Sequence, residues 1–294
     1  MQVIKDIEAF ERGFRDHNYV VDRELATIVY LMYKLQRPLL VEGPAGVGKT
    51  ELAQALADTL NSQLIRLQCY EGLDLNASVY EWNYQKQLLA IKIQEQSDKS
   101  EEEKERHIFS KYFLLERPLL QSISQDESPV LLIDEIDRSD EEFEAYLLEL
   151  LSVYQITIPE LGTVKARHIP LVVLTSNRTR ELSDALKRRC LYYWLDYPSA
   201  EKELEIVQQK LPEISEQLQQ QVVQFVQSLR NMHLEKTPGV AETLDWAVSL
   251  FTIGKSHLDQ QAIKSTIGCL LKSTDDIDKL VHSELFSQQL SSES

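Results

Sequence analysis

Residues 43–50 read GPAGVGKT, a glycine-rich octapeptide of the pattern GxxxxGK[ST]. The apolar run LLV precedes it at 39–41, and apolar residues at helical spacing follow it, namely Leu52, Ala53, Leu56 and Leu60. A strand, a glycine loop and a helix in this order form a known phosphate-binding unit. Glycines permit positive φ angles, so backbone N–H groups of the loop can surround a phosphate chain at the positive end of the helix.

Two side chains at the end of this loop have the chemistry that a nucleotide requires. Lys49 is expected to reach the β- and γ-phosphates, and Thr50 offers its hydroxyl to the Mg²⁺ that accompanies the nucleotide. The loop therefore predicts ATP and Mg²⁺ as cofactors.

Two adjacent carboxylates follow a second apolar run, Val130 to Ile133. At the carboxyl end of a parallel strand, Asp134 is suited to hold Mg²⁺ together with Thr50, and Glu135 to polarise a water for attack on the γ-phosphate. Acids at strand ends are often merely solvated, but beside a phosphate loop the catalytic interpretation is favoured. The candidate nucleotide-binding residues are Gly43, Pro44, Ala45, Gly46, Val47, Gly48, Lys49, Thr50, Glu51 and Asp134.

Further candidate catalytic residues follow the next apolar runs. Asn177 comes directly after LVVLTS, where a neutral polar group could sense a γ-phosphate, although an asparagine there is also an ordinary turn residue. Arg188 and Arg189 precede the run LYYWL, and a guanidinium from a neighbouring subunit could stabilise transition-state charge. The alternative for this arginine pair is a solvated basic cluster.

The order of apolar runs predicts the fold class. Runs at 38–41, 64–67, 130–133, 171–174 and 191–195 alternate with helical stretches, which indicates an α/β fold with a parallel sheet. A helix is expected after the cap Asp22, and another is expected to start at a capping box of Ser139 and Glu142. Beyond Tyr197-Pro198 the strand-like runs stop, and a helical domain is expected whose apolar stripes are Leu218, Val222, Phe225, Leu229 and Leu244, Val248, Phe251.

Two segments between these runs have their own patterns. The charge run from Gln94 to Arg106 indicates a solvated helix or a mobile loop. Residues 156–164 alternate apolar and polar residues around a proline and a glycine, which predicts a β-hairpin. The polar tail SQQLSSES is expected to fray.

Composition and charge exclude several classes of function. The formal net charge of -16 disfavours nucleic acid and anionic membrane as partners. Three scattered cysteines argue for a reducing compartment, and no His and Cys stand at zinc-ligand spacing. Since no apolar run approaches 18 residues, we expect no membrane-spanning segment and a cytoplasmic protein.

The segments GPAGVGKT, LLIDEIDR, LTSN and DALKRRC, in this order, resemble an AAA+ ATPase. The chain is more specifically similar to the MoxR family. Stretches such as LQCYEGLD, YEWNYQKQLL and PGVAETLDWA resemble its CoxD-type branch, the accessory ATPases of carbon-monoxide dehydrogenase maturation. The resemblance covers roughly residues 20–255.

The resemblance implies roles for individual residues. Residues 43–50 would be Walker A, Asp134 and Glu135 Walker B, and Asn177 sensor 1. Arg188 or Arg189 would be the arginine finger that acts in trans, with Arg188 slightly favoured by its spacing from Tyr197-Pro198. Arg138 would lie at a subunit interface.

The resemblance also implies an architecture and partners. An αβα nucleotide-binding domain at 1–197 would carry a helix-2 insert within about 69–120 and a presensor hairpin at about 155–166, and a helical lid domain would occupy 198–294. Members of the family form homo-oligomeric rings, commonly hexamers, and work with a protein that carries a von Willebrand factor A domain. They are chaperones that remodel metalloenzymes or insert cofactors into them.

One departure from the family pattern concerns the lid. Where related sequences have a sensor 2 arginine, this chain reads PGVAET at 238–243, and Arg230 is a candidate substitute. The leading hypothesis is an ATP-hydrolysing ring, and the alternative is a nucleotide-gated binding scaffold with little hydrolysis. A small-molecule kinase is disfavoured by Glu135, which activates water, and a DNA-dependent motor by the negative charge.

Overall fold

The computed structural model describes residues 4–94, 100–283 and 286. The chain divides into two compact units. The sheet unit consists of Met1–Gly13, Asp22–Glu42 and Leu52–Trp194. The helical unit consists of Phe14–Val21, Gly43–Glu51 and Leu195–Ser294, so the glycine loop belongs with the helices that follow the sheet.

Five parallel strands form the main sheet, in the spatial order Leu64–Gln68, Val130–Asp134, Leu171–Ser176, Leu39–Glu42 and Leu191–Trp194. The predicted α/β fold with a parallel sheet is thereby confirmed, because the five apolar runs correspond to these five strands. The strands among the described residues are β1 (Leu39–Glu42), β2 (Leu64–Gln68), β3 (Tyr80–Trp82), β4 (Leu114–Glu116), β5 (Val130–Asp134), β6 (Gln155–Ile158), β7 (Gly162–Lys165), β8 (Leu171–Ser176) and β9 (Leu191–Trp194).

Burial along the strands reflects their place in the sheet. Every residue of β1, β5 and β8 is buried, as expected for central strands that are covered on both faces. The edge strand β2 instead alternates, with Ile65 and Leu67 buried and Arg66 and Gln68 exposed. The edge strand therefore presents polar side chains on one face beside the carboxyl end of β5.

Helices alternate with the strands of the sheet unit and make up most of the helical unit. Asp22 caps the second helix by accepting a hydrogen bond from the Leu25 N–H at 2.8 Å, as predicted. The helices are α1 (Ile7–Asp16), α2 (Arg23–Leu35), α3 (Lys49–Leu60), α4 (Leu75–Ser78), α5 (Tyr84–Gln94), α6 (Glu101–Ile108), α7 (Pro118–Ile123), α8 (Glu141–Val153), α9 (Asp184–Arg189), α10 (Ala200–Lys210), α11 (Glu216–Arg230), α12 (Val240–Thr252), α13 (Gln260–Leu270) and α14 (Thr274–Val281).

Two antiparallel strand pairs lie outside the main sheet. β3 pairs with β4, and β6 pairs with β7 with Ile156 opposite Val164. Within the charge run, α6 is a solvated helix capped by Ser100, whereas 95–99 lie outside the described residues. The tail at 287–294 also lies outside them.

Helix α5 has an unusual burial pattern. Its buried residues are Gln87 and Gln94, whereas Leu88, Leu89 and Ile93 are at least 60% exposed. Burial normally selects apolar side chains. Helix α5 instead buries two glutamines and exposes leucine and isoleucine side chains to solvent.

Two local predictions were wrong. The capping box of Ser139 and Glu142 does not form, because a short 3-10 turn at 136–138 ends at Ser139 and Asp140 caps α8 instead. In α12 the buried side contains Trp246, whose indole N–H donates to Thr266 Oγ1 at 2.8 Å. The predicted stripe of Val248 and Phe251 is exposed, since the bulky indole determines which side faces the core.

In the described ranges, no helix has the length and apolar character that crossing a membrane requires.

Candidate nucleotide site

The glycine loop that follows β1 has a backbone that only glycine tolerates at several positions. Gly46 and Gly48 have φ angles of 74° and 96°, in the left-handed region. A Cβ atom on Gly43 would lie 2.0 Å from the carbonyl oxygen of Leu195. Side chains at these positions would fill or strain the loop, so the glycines leave a cradle lined by backbone.

Lys49, the first residue of α3, directs its charge onto this loop. Its side chain is buried, and its Nζ donates to the carbonyl oxygens of Gly43 at 2.9 Å and Pro44 at 2.5 Å. Thr50 and Glu51 follow on exposed positions, and Glu51 pairs with Lys210 at 2.6 Å. An ammonium held on loop carbonyls is suited to bind a phosphate that enters the cradle.

The start of α12 lies against the same loop. The Ala241 N–H donates to the carbonyl oxygen of Gly46 at 3.1 Å. A Cβ atom on Gly239 would lie 2.7 Å from the Ala45 carbonyl oxygen, so a glycine is needed where the two backbones meet. The Glu242 carboxylate accepts from the Gly239 N–H at 2.9 Å and thereby caps the helix. Helix α12 thus contacts the loop through its backbone.

Arg230, the candidate substitute for a lid arginine, is engaged elsewhere in the helical unit. Its guanidinium donates to both carboxylate oxygens of Glu203, at 2.6 and 2.7 Å, and to the Pro238 carbonyl oxygen at 2.9 Å. Both side chains of the ion pair are buried. Since each nitrogen of the guanidinium already has a partner, Arg230 serves the packing of the unit.

The first carboxylate after β5 is buried and held on both oxygens. Asp134 Oδ1 accepts from the Thr175 hydroxyl at 2.5 Å, and Oδ2 accepts from Arg66 at 2.5 Å. The Thr175 oxygen in turn accepts from the Glu135 N–H at 2.9 Å. Because β5 and β8 are parallel neighbours, their carboxyl ends bring these groups together.

The second carboxylate comes directly after the strand, in a left-handed backbone conformation with a φ angle of 54° at Glu135. Its Oε2 accepts from Gln68 Nε2 at 2.9 Å and from Arg138 at 3.1 Å, and its Oε1 lies 3.4 Å from Asn177 Nδ2. Sequence reasoning identified Asn177 and Glu135 separately, and the structure brings their side chains into contact.

Asp137 was missed by sequence reasoning, although it shapes the site. It is 3% exposed, and its carboxylate accepts from the N–H groups of Asn177 at 3.2 Å and Thr179 at 2.9 Å. The Thr179 hydroxyl also donates to it, at 2.6 Å. Asp137 therefore fixes the loop that carries Asn177. Its spacing of three residues after Asp134 was the available signal, but a lone acid in a turn is too common to single out.

The cysteine after β2 is a neighbour of these acids without being reactive. Burial, followed by the charges of Asp134, Asp137 and Glu135, raises the pKa of the Cys69 thiol to about 12. The thiol is therefore protonated at neutral pH, which excludes it as a nucleophile.

The two candidate finger arginines differ in their surroundings, although both are exposed residues of α9. Arg189 donates to the Ser152 hydroxyl at 3.0 Å and to the Ala185 carbonyl oxygen at 3.3 Å. The Arg188 backbone carbonyl accepts from Arg37 at 3.0 Å. Within the part of the chain that the structure describes, the Arg188 guanidinium makes no hydrogen bond or ion pair.

The residues present fit a magnesium nucleotide. A Cβ atom on Gly43 would clash with the Leu195 carbonyl oxygen and one on Gly46 with Glu242 Oε2, so the loop stays free of side chains at these positions. Lys49 already places a cation on the loop. The Asp134 carboxylate and the Thr50 hydroxyl are hard oxygen donors of the kind that Mg²⁺ prefers. The Arg66 guanidinium on Asp134 shows that this carboxylate is placed to bind a cation.

Residues 38–190 match the AAA domain family, dynein-related subfamily, and the chain belongs to this family. It therefore carries an AAA+ ATPase domain, a class that uses nucleotide with Mg²⁺ and typically assembles as oligomeric rings.

The chain is similar in sequence to proteins of staphylococci. An uncharacterized protein of Staphylococcus epidermidis is 26% identical over 207 residues, covering 68% of this chain and 71% of that protein. An uncharacterized protein of Staphylococcus haemolyticus is 25% identical over the same length and coverage. Among solved structures, a mutant of RuvB from Thermotoga maritima has a TM-score of 0.51 at 15% identity, covering 95% of this chain and 78% of that chain. This likeness shows the AAA+ P-loop fold alone.

Proposed function

We propose that this chain is an ATPase that binds Mg²⁺-ATP on the 43–50 loop and uses its hydrolysis to remodel a partner protein. The observation that supports this most directly is the group formed by Asp134, Glu135 and Asn177 at one edge of the sheet, in a chain of the AAA domain family. One acid is enough to hold a metal, whereas a second acid held beside it is suited to act on water.

Each candidate residue has a separate role in the proposed hydrolysis of ATP. Lys49 and the loop N–H groups would hold the phosphates, and Thr50 and Asp134 would hold Mg²⁺. When bound, Mg²⁺ would neutralise the charge that develops on the transferred phosphoryl group. Glu135 would orient the attacking water and accept its proton, with Asn177 holding the carboxylate in place.

Arg188 is the better candidate for the finger that acts in trans. Its guanidinium is uncommitted among the described residues, whereas Arg189 is held by Ser152 and Ala185 within its own chain. A guanidinium supplied by a neighbour requires an assembly, so this role supports a homo-oligomeric ring, commonly a hexamer in the MoxR family. Arg138, which contacts Glu135, would lie at the interface of such a ring.

The finer assignment to the MoxR family and its CoxD-type branch rests on the motif resemblance. It carries with it a partner with a von Willebrand factor A domain and a metalloenzyme client. The insert within about 69–120 and the hairpin at about 155–166 would face the central pore of the ring. The remaining division into a nucleotide-binding domain at 1–197 and a lid at 198–294 belongs to the same proposal. We place the activity in the cytoplasm, a reducing compartment, because Cys69, Cys190 and Cys269 are all free.

A nucleotide-gated scaffold is the second candidate function. The absence of an arginine from 238–243, at the start of the proposed lid, favours it. The start of α12 presents Gly239 and Glu242 where the family has an arginine, and Arg230 is bound by Glu203. Without a lid cation on the γ-phosphate, hydrolysis would be slow, and ATP binding itself would be the switch.

The two candidates are separated by phosphate release from the wild type and Glu135→Gln, with assembly mass recorded by light scattering. The matched control is Glu102→Gln on α6, whose side chain is 84% exposed. We expect the wild type and the control to turn over ATP and Glu135→Gln to bind ATP without releasing phosphate. Tight binding without turnover in all three would favour the scaffold, and absence of ATP binding would contradict both candidates.

A further inference from the structure

The exposed face of β2 presents Arg66 beside the proposed metal ligand. The alternation of β2 places Arg66 and Gln68 on the same face, and Gln68 is in register with Asp134 on β5. The Arg66 guanidinium contacts Asp134 Oδ2 at 2.5 Å and Gln68 Oε1 at 2.6 Å. Arg66 thus reaches along its own strand to the carboxyl end of the neighbouring one.

The two partners of this ion pair differ strongly in exposure. The Asp134 side chain is 4% exposed, whereas that of Arg66 is 53% exposed. A buried carboxylate is costly unless it is paired, and the ion pair with Arg66, formed from the solvent side, stabilises the charge of Asp134. Because half of the Arg66 side chain is already in water, it can leave the carboxylate without opening a cavity.

A metal ion and Arg66 compete for the same oxygen. Oδ1 of Asp134 accepts from Thr175 and Oδ2 accepts from Arg66, so a metal ion bound through Oδ2 would meet the guanidinium. Two cations cannot share one carboxylate oxygen without repulsion. If Asp134 helps to hold Mg²⁺, the positive charge of the metal would weaken its ion pair with Arg66.

We propose that Arg66 is a positioning residue that holds Asp134 in the nucleotide-free protein and is displaced by Mg²⁺, so that it sets the Mg²⁺ concentration at which nucleotide binds. This inference rests on the proposed function, since it takes Asp134 as a ligand of the metal that accompanies ATP. It adds a competition between a protein cation and the metal.

The test measures binding of a fluorescent, non-hydrolysable ATP analogue while Mg²⁺ is titrated from an EDTA-containing buffer. In Arg66→Gln we expect the Mg²⁺ midpoint to fall by about threefold to tenfold, the effect of removing a half-exposed competing ion pair. The matched control is Arg167→Gln, which also removes one charge, from an exposed pair with Asp126. Its midpoint should equal that of the wild type.

Thermal unfolding in EDTA without nucleotide provides a second readout. Arg66→Gln should unfold at a lower temperature than the wild type, because Asp134 loses one ion-pair partner, and should gain more from Mg²⁺-nucleotide. A purely structural arginine would lower the unfolding temperature without moving the Mg²⁺ midpoint, and that result would overturn the inference.

A second variant keeps the test decisive if Arg66→Gln does not fold. Arg66→Lys retains the charge on a shorter, more strongly hydrated side chain, so its midpoint should fall by less than in Arg66→Gln. A midpoint at or above the wild-type value in a folded Arg66 variant overturns the inference while the wild type still binds the analogue. If the wild type binds no analogue at any Mg²⁺ concentration, the proposed function fails and the inference fails with it.

Discussion

Arg230 and Glu203 form a bidentate ion pair inside the helical unit, with side chains 7% and 0% exposed. The Thr243 hydroxyl donates to the same carboxylate at 2.8 Å, and the guanidinium lies 4.9 Å from the centre of the Tyr197 ring. The pair joins α10, α11 and the start of α12. An arginine held in this way stabilises the unit and is not available to a phosphate.

Breaking this pair should destabilise the protein strongly. Removal of one partner leaves a buried charge uncompensated, so Arg230→Gln should lower the free energy of unfolding by about 3–5 kcal/mol. Denaturant unfolding measures this, and Lys255→Gln, which breaks a partly exposed pair with Asp259, should cost about 1 kcal/mol or less. A similarly small loss of unfolding free energy in both variants would show that the buried pair contributes no more to stability than the partly exposed one.

Lys49→Ala should bind nucleotide weakly. Loss of a charged donor to the phosphates should reduce ATP affinity by about tenfold or more, measured by calorimetry. Lys255→Ala removes the same charge from the helical unit and should bind normally. Lys49 also donates hydrogen bonds to two loop carbonyls, so the unfolding temperature of Lys49→Ala must be compared with that of the wild type. Unchanged ATP affinity in folded Lys49→Ala would remove this residue from the site.

Two glycines in the helical unit should respond to alanine in opposite directions. Gly239→Ala places a Cβ within 2.8 Å of the loop backbone and should destabilise by about 1–3 kcal/mol and weaken nucleotide binding. Gly268 lies in α13, where an added Cβ would meet no neighbouring heavy atom within 4 Å. Gly268→Ala should therefore stabilise the protein by about 0.5–1 kcal/mol, because alanine loses less conformational entropy on folding. Both changes are read from thermal unfolding. An equal effect at the two positions would argue against the close contact of α12 with the loop.

Mixing inactive variants tests action in trans. Arg188→Ala and Glu135→Gln should each lack turnover alone, and mixed assemblies should recover some phosphate release, because one interface then combines an intact arginine with an intact acid. Recovery is scored against the mixing ratio after co-assembly is verified by mass. If mixtures with Arg189→Ala recover activity and those with Arg188→Ala do not, Arg189 is the finger.

The cysteines should differ in reactivity. Burial raises the pKa of the Cys190 thiol to about 12, so at pH 8 roughly one molecule in ten thousand carries the thiolate. Iodoacetamide at pH 8 should therefore label the half-buried Cys269 in the folded protein and leave Cys69 and Cys190 unmodified. Mass spectrometry locates the label, and all three should react in urea. Labelling of Cys190 without urea would contradict its burial.

Local patterns were enough to predict the sheet and the phosphate loop. Five apolar runs identified the strands, because buried parallel strands need continuous apolar sequence. The glycines and Lys49 of the loop belong to one short segment whose chemistry is local. The pairing of Glu135 with Asn177 was less accessible, since the two residues are 42 positions apart and meet only through strand order.

The partner of Arg230 and the buried side of α12 could not be predicted, because each depends on which side chains from other parts of the chain lie nearby. The sequence did not exclude Arg230 as a contact of the γ-phosphate, and only the position of Glu203 decided its partner. The exposed side of α12 was predicted as buried, because periodicity alone does not show that Trp246 packs inward.

The sequence by itself determined the parallel α/β sheet, the glycine loop and the identity of the two acids after β5, because each depends on residues that are close together along the chain. The tertiary structure decided the partners of those acids. Arg66, Gln68, Thr175 and Asn177 reach Asp134 and Glu135 from neighbouring strands. Hydrogen bonds and ion pairs depend on distance in space, and strand order brings these groups within reach of one another.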